Sequence, residues 1–353
     1  MKKIAIIGTV GVPACYGGFE SLVENLLDYT PEDVEYTVFC TSQKYKQKLE
    51  IYKGAKLKYL DLNANGKDSI IYDYKSMKMS LDSDIMLILG VSGCIFLPFI
   101  RRKYKGKIII NIDGLEWKRD KWNFIAKWLL HYSEKMAVKY SDIVIGDNKG
   151  ITDYVKEAYK KDAVLIAYGG DHVSKINDDS LYEIYPFCKN PYSVTVCRIE
   201  PENNIHIILE AFSKMPENQL VMVGNWKNGE YGSEMKEKYS KFENIHLLDP
   251  IYESHTINWI RSNASVYVHG HSAGGTNPSL VEAMNFGLPI LAFDCVYNRE
   301  TTMNECLYWK NSEDIQYFFQ SIPDLDSIAS KMQDIGKKLY SWEKIAEQYN
   351  SLY

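Results

Sequence analysis

Short β-rich apolar runs alternate with helix-patterned stretches throughout the sequence, and this alternation restricts the fold more than any other feature. Candidate strands are Lys3–Gly8, Tyr36–Thr41, Lys56–Leu60, Ile85–Leu89, Lys107–Ile112, Ile143–Asp147 and Ala163–Ala167, with helical stretches such as Phe19–Leu27 and Trp122–Tyr140 between them. Strands that need a crossover helix between them pair in parallel, and a parallel sheet is covered on both faces. The pattern then restarts, with strands at Ser193–Arg198, Gln219–Gly224, Ile245–Leu248, Ala264–His269 and Pro289–Phe293. The expectation is an α/β chain of two doubly wound, Rossmann-like domains. Polar and turn-forming residues cluster at Tyr168–Pro191, which places the boundary so that residues 1–168 form one domain and 169–339 the other.

In open α/β sheets, ligands sit outside the carboxyl ends of the strands. Four chemically dense loops lie there: GTVGVPACYGGFE (Gly8–Glu20), DGLEWKRDKW (Asp113–Trp122), IEPENN after Arg198, and HGHSAGGTNPSLVEAM (His269–Met284). A shared cleft between the domains accounts for all four. The last loop runs into a short helix with Gly274 and Gly275 before it, Pro278 at its start and a lone carboxylate, Glu282, within it. Such a loop aims N–H groups and the positive end of a helix dipole at one place, which suits a diphosphate.

The first loop does not spell a dinucleotide fingerprint. Gly8 and Gly11 are three apart with no G-x-G-x-x-G, and Phe39–Ser42 offers no acid for a ribose. The Gly17-Gly18 pair opening the next helix lets backbone approach a phosphate or sugar closely, or serves chain geometry alone.

The 353 residues are 46% hydrophobic and 25% charged, as in a folded globular chain. The seven scattered cysteines include no C-x-x-C pair, which reads as reduced thiols and a cytoplasmic setting. The run Ile85–Ile100 is too short and too broken by Gly90, Gly93 and Pro98 to span a bilayer. Residues 1–170 carry 26 Lys and Arg against 21 Asp and Glu, whereas 171–353 carry 15 against 25. A basic half and an acidic half suggest different partners, and the net charge of −5 argues against nucleic acid. Neither an Asp-x-Asp at a strand end nor helical ligand spacing of His269 and His271 is present, so no metal and no cofactor are expected.

These loops, with CRIEPENN (Cys197–Asn204) and YSWEKIAEQY (Tyr340–Tyr349), resemble the GT-B glycosyltransferases of retaining family 4. Within that family the likeness is to the rhamnosyltransferase-like branch of bacterial capsule and cell-wall polysaccharide synthesis. The resemblance covers nearly the whole chain. It implies two Rossmann-like domains facing across a cleft, a nucleotide-sugar donor held mainly by the second, and a final helix, about 340–353, returning to the first with Trp342 as its anchor. By similarity Glu282 is the second glutamate of a Glu-seven-residues-Glu pattern and accepts from a ribose or deoxyribose hydroxyl. The first glutamate is replaced by Gly274, so the backbone of Gly274, Gly275, Thr276 and Asn277, with Ser279, is left to contact the donor. Arg198 matches a diphosphate-binding arginine, while the usual lysine five residues on is Asn203.

The resemblance implies front-face attack, with the leaving phosphate taking the acceptor proton. Asp113 and Glu116 are then acceptor-orienting groups or an auxiliary base. The expected donor is dTDP-L-rhamnose, with UDP-galactose or UDP-N-acetylglucosamine as alternatives. A polyprenyl-diphosphate-linked saccharide is the expected acceptor. A non-catalytic sugar-nucleotide-binding subunit is the alternative from another class, suggested by Gly274 and Asn203. Finally, Trp117, Lys118, Arg119, Asp120, Lys121 and Trp122, with Phe124, Lys127, Trp128 and the stretch from Phe96 through Arg101, Arg102 and Lys103, mix indoles and cations as membrane-surface segments do. Either they face the inner leaflet, or the tryptophans are core and the lysines solvated.

Overall fold

The computed structural model describes every residue except Tyr16, Asp120, Lys121, Asn228, Ile322 and Pro323. Two compact units result: Met1–Ala167 together with Trp342–Tyr353, and Tyr168–Ser341.

Among the described residues the first unit has an eight-stranded sheet, β1 (Lys2–Ile7), β2 (Val34–Thr41), β3 (Ile51–Tyr52), β4 (Ala55–Leu60), β5 (Ile85–Leu89), β6 (Lys107–Asn111), β7 (Ile143–Gly146) and β8 (Val164–Leu165). Their order is β3-β4-β2-β1-β5-β6-β7-β8, parallel except for the β3–β4 hairpin. Ile4, Ile6 and Ile7 of β1 and Met86, Leu87 and Ile88 of β5 are buried, as central strands covered on both faces require. The order reverses between β1 and β5. That switch point lies at the strand ends from which the loops after Ile7 and Leu89 depart.

The helix Trp342–Asn350 packs on this first sheet. Its Tyr349 is fully buried, its hydroxyl accepting from Asn111 Nδ2 at 2.9 Å, and the Tyr353 ring meets Tyr36 edge-on. Tyr340 belongs to the second unit, where its carbonyl accepts from Gly170 N.

The second unit's sheet contains β9 (Tyr192–Val196), β10 (Gln219–Val223), β11 (Ile245–Leu248), β12 (Val266–His269), β13 (Ile290–Phe293) and β14 (Leu307–Trp309). The order is β11-β10-β9-β12-β13-β14, all parallel. Its core joins Leu220, Val266, Val268 and Leu291 from the strands to Ile208, Phe212 and Phe318 from helices. The switch point falls between β9 and β12, so the loops after Val196 and His269 emerge side by side. β3 and β14 are additions to the expected strands, and both are short edge elements.

Candidate functional site

The second unit zips its two switch-point loops together. Asn204 Nδ2 donates to the Gly270 carbonyl at 2.8 Å, and both the N–H and the hydroxyl of Ser272 donate to the Glu202 carbonyl at 2.9 Å. Gly270 is required at this seam, because a Cβ there would lie 2.0 Å from the Asn203 carbonyl oxygen. Asn203 spends its Nδ2 on the Arg198 carbonyl, so its Oδ1 is an acceptor, and His271 Nδ1, 2.8 Å away, must carry the proton. Thus Asn203 ties Arg198 to the histidine loop. The Arg198 side chain is half-exposed, its Nε 3.9 Å from Glu200 Oε2.

Gly274 and Gly275 both have φ of +61°, a pair of left-handed residues that only glycine adopts cheaply. Among the described residues, no group accepts from the N–H of Gly274, Gly275 or Asn277. Successive N–H groups in such a turn form an anion-binding concavity. The helix Pro278–Phe286 starts beside it, with Pro278 at its first turn and Gly287, φ +69°, closing its end. Asn277 caps this helix, its side chain accepting from Ser279 N at 3.0 Å and from the Ser279 hydroxyl at 2.7 Å. Ser279 in turn accepts from the Tyr267 hydroxyl at 2.9 Å. These two side chains therefore hold the loop's shape, and Ser279 is engaged within the protein instead of offering its hydroxyl outward.

Glu282 is nearly buried on this helix. Arg261 Nη1, from the helix Ser254–Ser262, lies 2.6 Å from its Oε2, and His172 Nε2 lies 3.3 Å from its Oε1. Burial alone would raise its pKa, but the Arg261 charge and the His172 contact outweigh it and hold the carboxyl below the ordinary range. His269, by contrast, is pushed down to about 3 by burial, so its ring is neutral. Among the described residues, no group of three or more His, Cys, Asp or Glu side chains is placed to hold a metal ion.

Gly17, Gly18, Asp113 and Glu116 belong to the first unit. There the loop after β1 is folded around Glu20. Its Oε1 accepts from Thr9 Oγ1 at 2.7 Å and Val10 N at 2.6 Å, and its Oε2 accepts from Gly17 N at 2.8 Å. The Gly17 N–H, expected to meet a donor phosphate, is thus already satisfied by an internal carboxylate. Gly18 begins the helix Gly18–Asp28 behind it. Gly8 enters the loop pressed against β5, where a Cβ would lie 2.0 Å from the Leu89 carbonyl oxygen.

Asp113 follows β6 in a left-handed turn, φ +59°, with its N–H donating to Asn111 Oδ1 at 3.0 Å. Such a conformation is tolerated by Asp and Asn and is uncommon otherwise. Glu116, expected to orient the acceptor or serve as an auxiliary base, is engaged within the loop: Arg119 Nε lies 3.0 Å from its Oε2 and Trp122 Nε1 donates to its Oε1 at 3.0 Å. Arg119 is mostly buried in this pair, whereas Trp122 stays half-buried.

The aromatic and basic surface lies slightly further along. Phe124, Ile125 and Trp128 on the helix Phe124–Tyr140 are 83%, 74% and 62% exposed, and Phe99 on the adjoining helix Leu97–Lys103 is 58% exposed. Arg102 stacks over Phe99, and Lys118 lies over Trp117, which is itself stacked on His131. A groove of about 420 Å³ runs among Trp117, Lys118, Phe124, Lys127, Trp128 and His131. Arg101 does not join this face. Its guanidinium is paired with Asp142 at 2.6 Å and donates to the Gly106 carbonyl at 2.8 Å. Asp120 and Lys121 lie outside the described residues.

Two doubly wound units, with an anion-shaped loop at the switch point of the second, define the class as a GT-B protein. Residues 184–338 match the family model "Glycosyl transferases group 1", and residues 1–171 match "Domain of unknown function (DUF1972)". The second unit is therefore a group 1 glycosyltransferase domain, and the chain is a glycosyltransferase of the GT-B fold. No curated protein matches the sequence.

Solved structures share the fold at low identity. Sucrose-phosphate synthase from Thermosynechococcus elongatus superposes with a TM-score of 0.85 at 16% identity, covering 100% of this chain and 98% of that one. Anabaena HepE in complex with UDP-glucose gives 0.78 at 13%, covering 100% and 99%. A glycosyltransferase from Rickettsia africae gives 0.74 at 14%, covering 100% and 97%.

Proposed function

We propose that the protein is a retaining glycosyltransferase that moves L-rhamnose from dTDP-L-rhamnose to a hydroxyl of a polyprenyl-diphosphate-linked saccharide, working without a metal at the inner face of the cytoplasmic membrane. The observation that carries the transferase reading is the seam between the Arg198 loop and the Gly274-Gly275 turn. It gathers a half-exposed guanidinium and several N–H groups at the switch point of one sheet. In this reading Arg198 and the loop N–H groups take up the charge that grows on the departing diphosphate. One such preorganised donor is worth about 3 kcal/mol of barrier, roughly a hundredfold in rate. Glu282, held ionised, accepts from the nucleoside sugar. Asp113 orients the acceptor, whose proton leaves with the phosphate. Anabaena HepE, solved with UDP-glucose, supports a nucleotide sugar as the donor class.

The choice of rhamnose and of a lipid-linked acceptor rests on the likeness of the Gly8–Glu20 and Gly270–Met284 loops to one branch of family 4. The exposed Phe124, Ile125 and Trp128 beside Arg102 and Lys127 favour the membrane. A donor-hydrolysis screen over dTDP-, UDP- and GDP-sugars tests the reading, with dTDP-rhamnose expected to turn over fastest. Preference for UDP-galactose or UDP-N-acetylglucosamine would overturn the sugar, and nucleotide binding with no turnover on extracted lipid acceptors would favour a binding subunit. Arg198→Ala and Glu282→Ala should each lower turnover about tenfold or more; near-normal rates in both would mean that the site lies elsewhere.

A further inference from the structure

Glu282 meets its ligand with one oxygen already committed. A ribose presents vicinal 2′ and 3′ hydroxyls, which a carboxylate accepts one on each oxygen, whereas a 2′-deoxyribose presents only the 3′ hydroxyl. Arg261 Nη1 sits 2.6 Å from Glu282 Oε2, with both side chains almost fully buried. On the other oxygen, the His172 contact is long, 3.3 Å, and His172 is the more exposed partner. From this asymmetry we propose that Arg261 sets a preference for 2′-deoxyribonucleotide donors by occupying the Glu282 oxygen that would take the 2′ hydroxyl of a ribonucleotide. The inference rests on the reading of Glu282 as the nucleoside contact.

Chemically, a ribonucleotide would have to do one of two things. Either its 2′ hydroxyl displaces the guanidinium from the carboxylate, or it crowds in as a second donor on an oxygen that the guanidinium already holds at 2.6 Å. Both are unfavourable, and losing a charged hydrogen bond between nearly buried side chains costs about tenfold to a hundredfold. A deoxyribonucleotide needs only Oε1, where the weaker His172 contact leaves lone-pair capacity for one hydroxyl. Arg261 is thus a positioning residue. It need not touch the donor, and it decides how many hydroxyls Glu282 can receive.

Calorimetric Kd values for dUDP and UDP, which differ only at the 2′ position, test this on the wild-type protein and on Arg261→Met, Arg261→Lys and Glu282→Ala. Wild type is expected to bind dUDP about tenfold tighter or more. Arg261→Met should bring the two within about threefold by releasing Oε2, and Arg261→Lys should retain part of the preference. A wild-type ratio near one, or a full ratio kept in Arg261→Met, overturns the proposal. Because the wild-type ratio needs no variant, it remains decisive if Arg261→Met fails to fold. Glu282→Ala binding both nucleotides as wild type does would remove the nucleoside reading itself. A loss of affinity there with an unchanged ratio in Arg261→Met would overturn the role of Arg261 alone. If neither uridine nucleotide binds, dTDP against ribothymidine diphosphate, which also differ only at the 2′ position, decides the preference in the same way, and the dTDP reading fails if neither of those binds.

Discussion

Glu20→Gln is the substitution that best isolates the clasp around which the first glycine-rich loop is folded. The carboxylate accepts on both oxygens, from Thr9 and Val10 on one and from Gly17 on the other. An amide has one oxygen, so whichever way the substituted side chain turns, its NH2 faces an N–H or O–H donor. The least costly orientation keeps Val10 and Thr9 and sets the amide against Gly17 N. That loses one charge-assisted bond, worth about 1.5–3 kcal/mol, leaves the part-buried Gly17 N–H facing a donor, and weakens the two surviving bonds. The expected loss is about 3 kcal/mol. If the first unit melts as its own transition, a unit of that size loses roughly 6–12 °C in Tm. Peptide-level hydrogen exchange locates the damage: the amide of Gly17 should exchange about a hundredfold faster, while that of Val10 stays protected. Unchanged Gly17 protection, or a loss below about 1 kcal/mol, would refute the idea that one side chain holds the loop.

Three further outcomes are expected. Asp73 is fully buried, with Oδ2 accepting from Gly93 N at 2.9 Å and no partner for Oδ1 among the described residues, and burial pushes its pKa up to about 7 from 3.8. Between those values the folded protein holds a proton that the unfolded chain has lost, so stability falls as pH rises from about 4 to 7, by about 4 kcal/mol at most. Asp73→Asn should remove most of that slope and raise Tm at pH 8, and equal Tm slopes in both proteins would contradict the assignment. On the surface, Phe124→Ser with Trp128→Ser should abolish co-sedimentation with vesicles containing anionic lipid, and Arg102→Glu with Lys103→Glu should weaken it in a salt-dependent way; unchanged pelleting in both pairs would sink the membrane proposal. At the seam of the second unit, Gly270→Ala must displace the Asn203 carbonyl, so nucleotide affinity should drop at least tenfold with the fold retained, and wild-type binding would show that the seam is not part of the site.

The sheets were legible in the sequence because central parallel strands, buried on both faces, write themselves as unbroken apolar runs, as in Ile85–Leu89 and Ile108–Ile110. Ile51–Tyr52 and Leu307–Trp309, two and three residues long at sheet edges, escaped the pattern. The glycine turn and the capped helix before Glu282 were visible as a local pattern. What surrounds them was not. Arg261 and His172 reach Glu282 from other elements, Asp142 reaches Arg101 across 41 positions, and no local spacing marks either pairing. Nor does local spacing show that Arg101 pairs with Asp142, or that Glu116 is engaged by Arg119 and Trp122. Sequence reasoning also missed that Glu20 supplies from within the negative charge that the Gly17 backbone was expected to take from a ligand.

Trp342–Asn350 lies across the sheet of a unit whose other residues end at Ala167, so in chain terms the second unit is an insert within the first. During synthesis the whole insert emerges before the first sheet receives its covering helix. Until residues 349–353 are made, Asn111 lacks the Tyr349 hydroxyl, Lys107 lacks the Leu352 carbonyl, and Tyr36 lacks the ring of Tyr353. The unit begun first is thus completed last. A premature stop anywhere in the insert leaves the earlier unit without these contacts, an invitation to chaperones and proteases, even though every one of its strands has been translated.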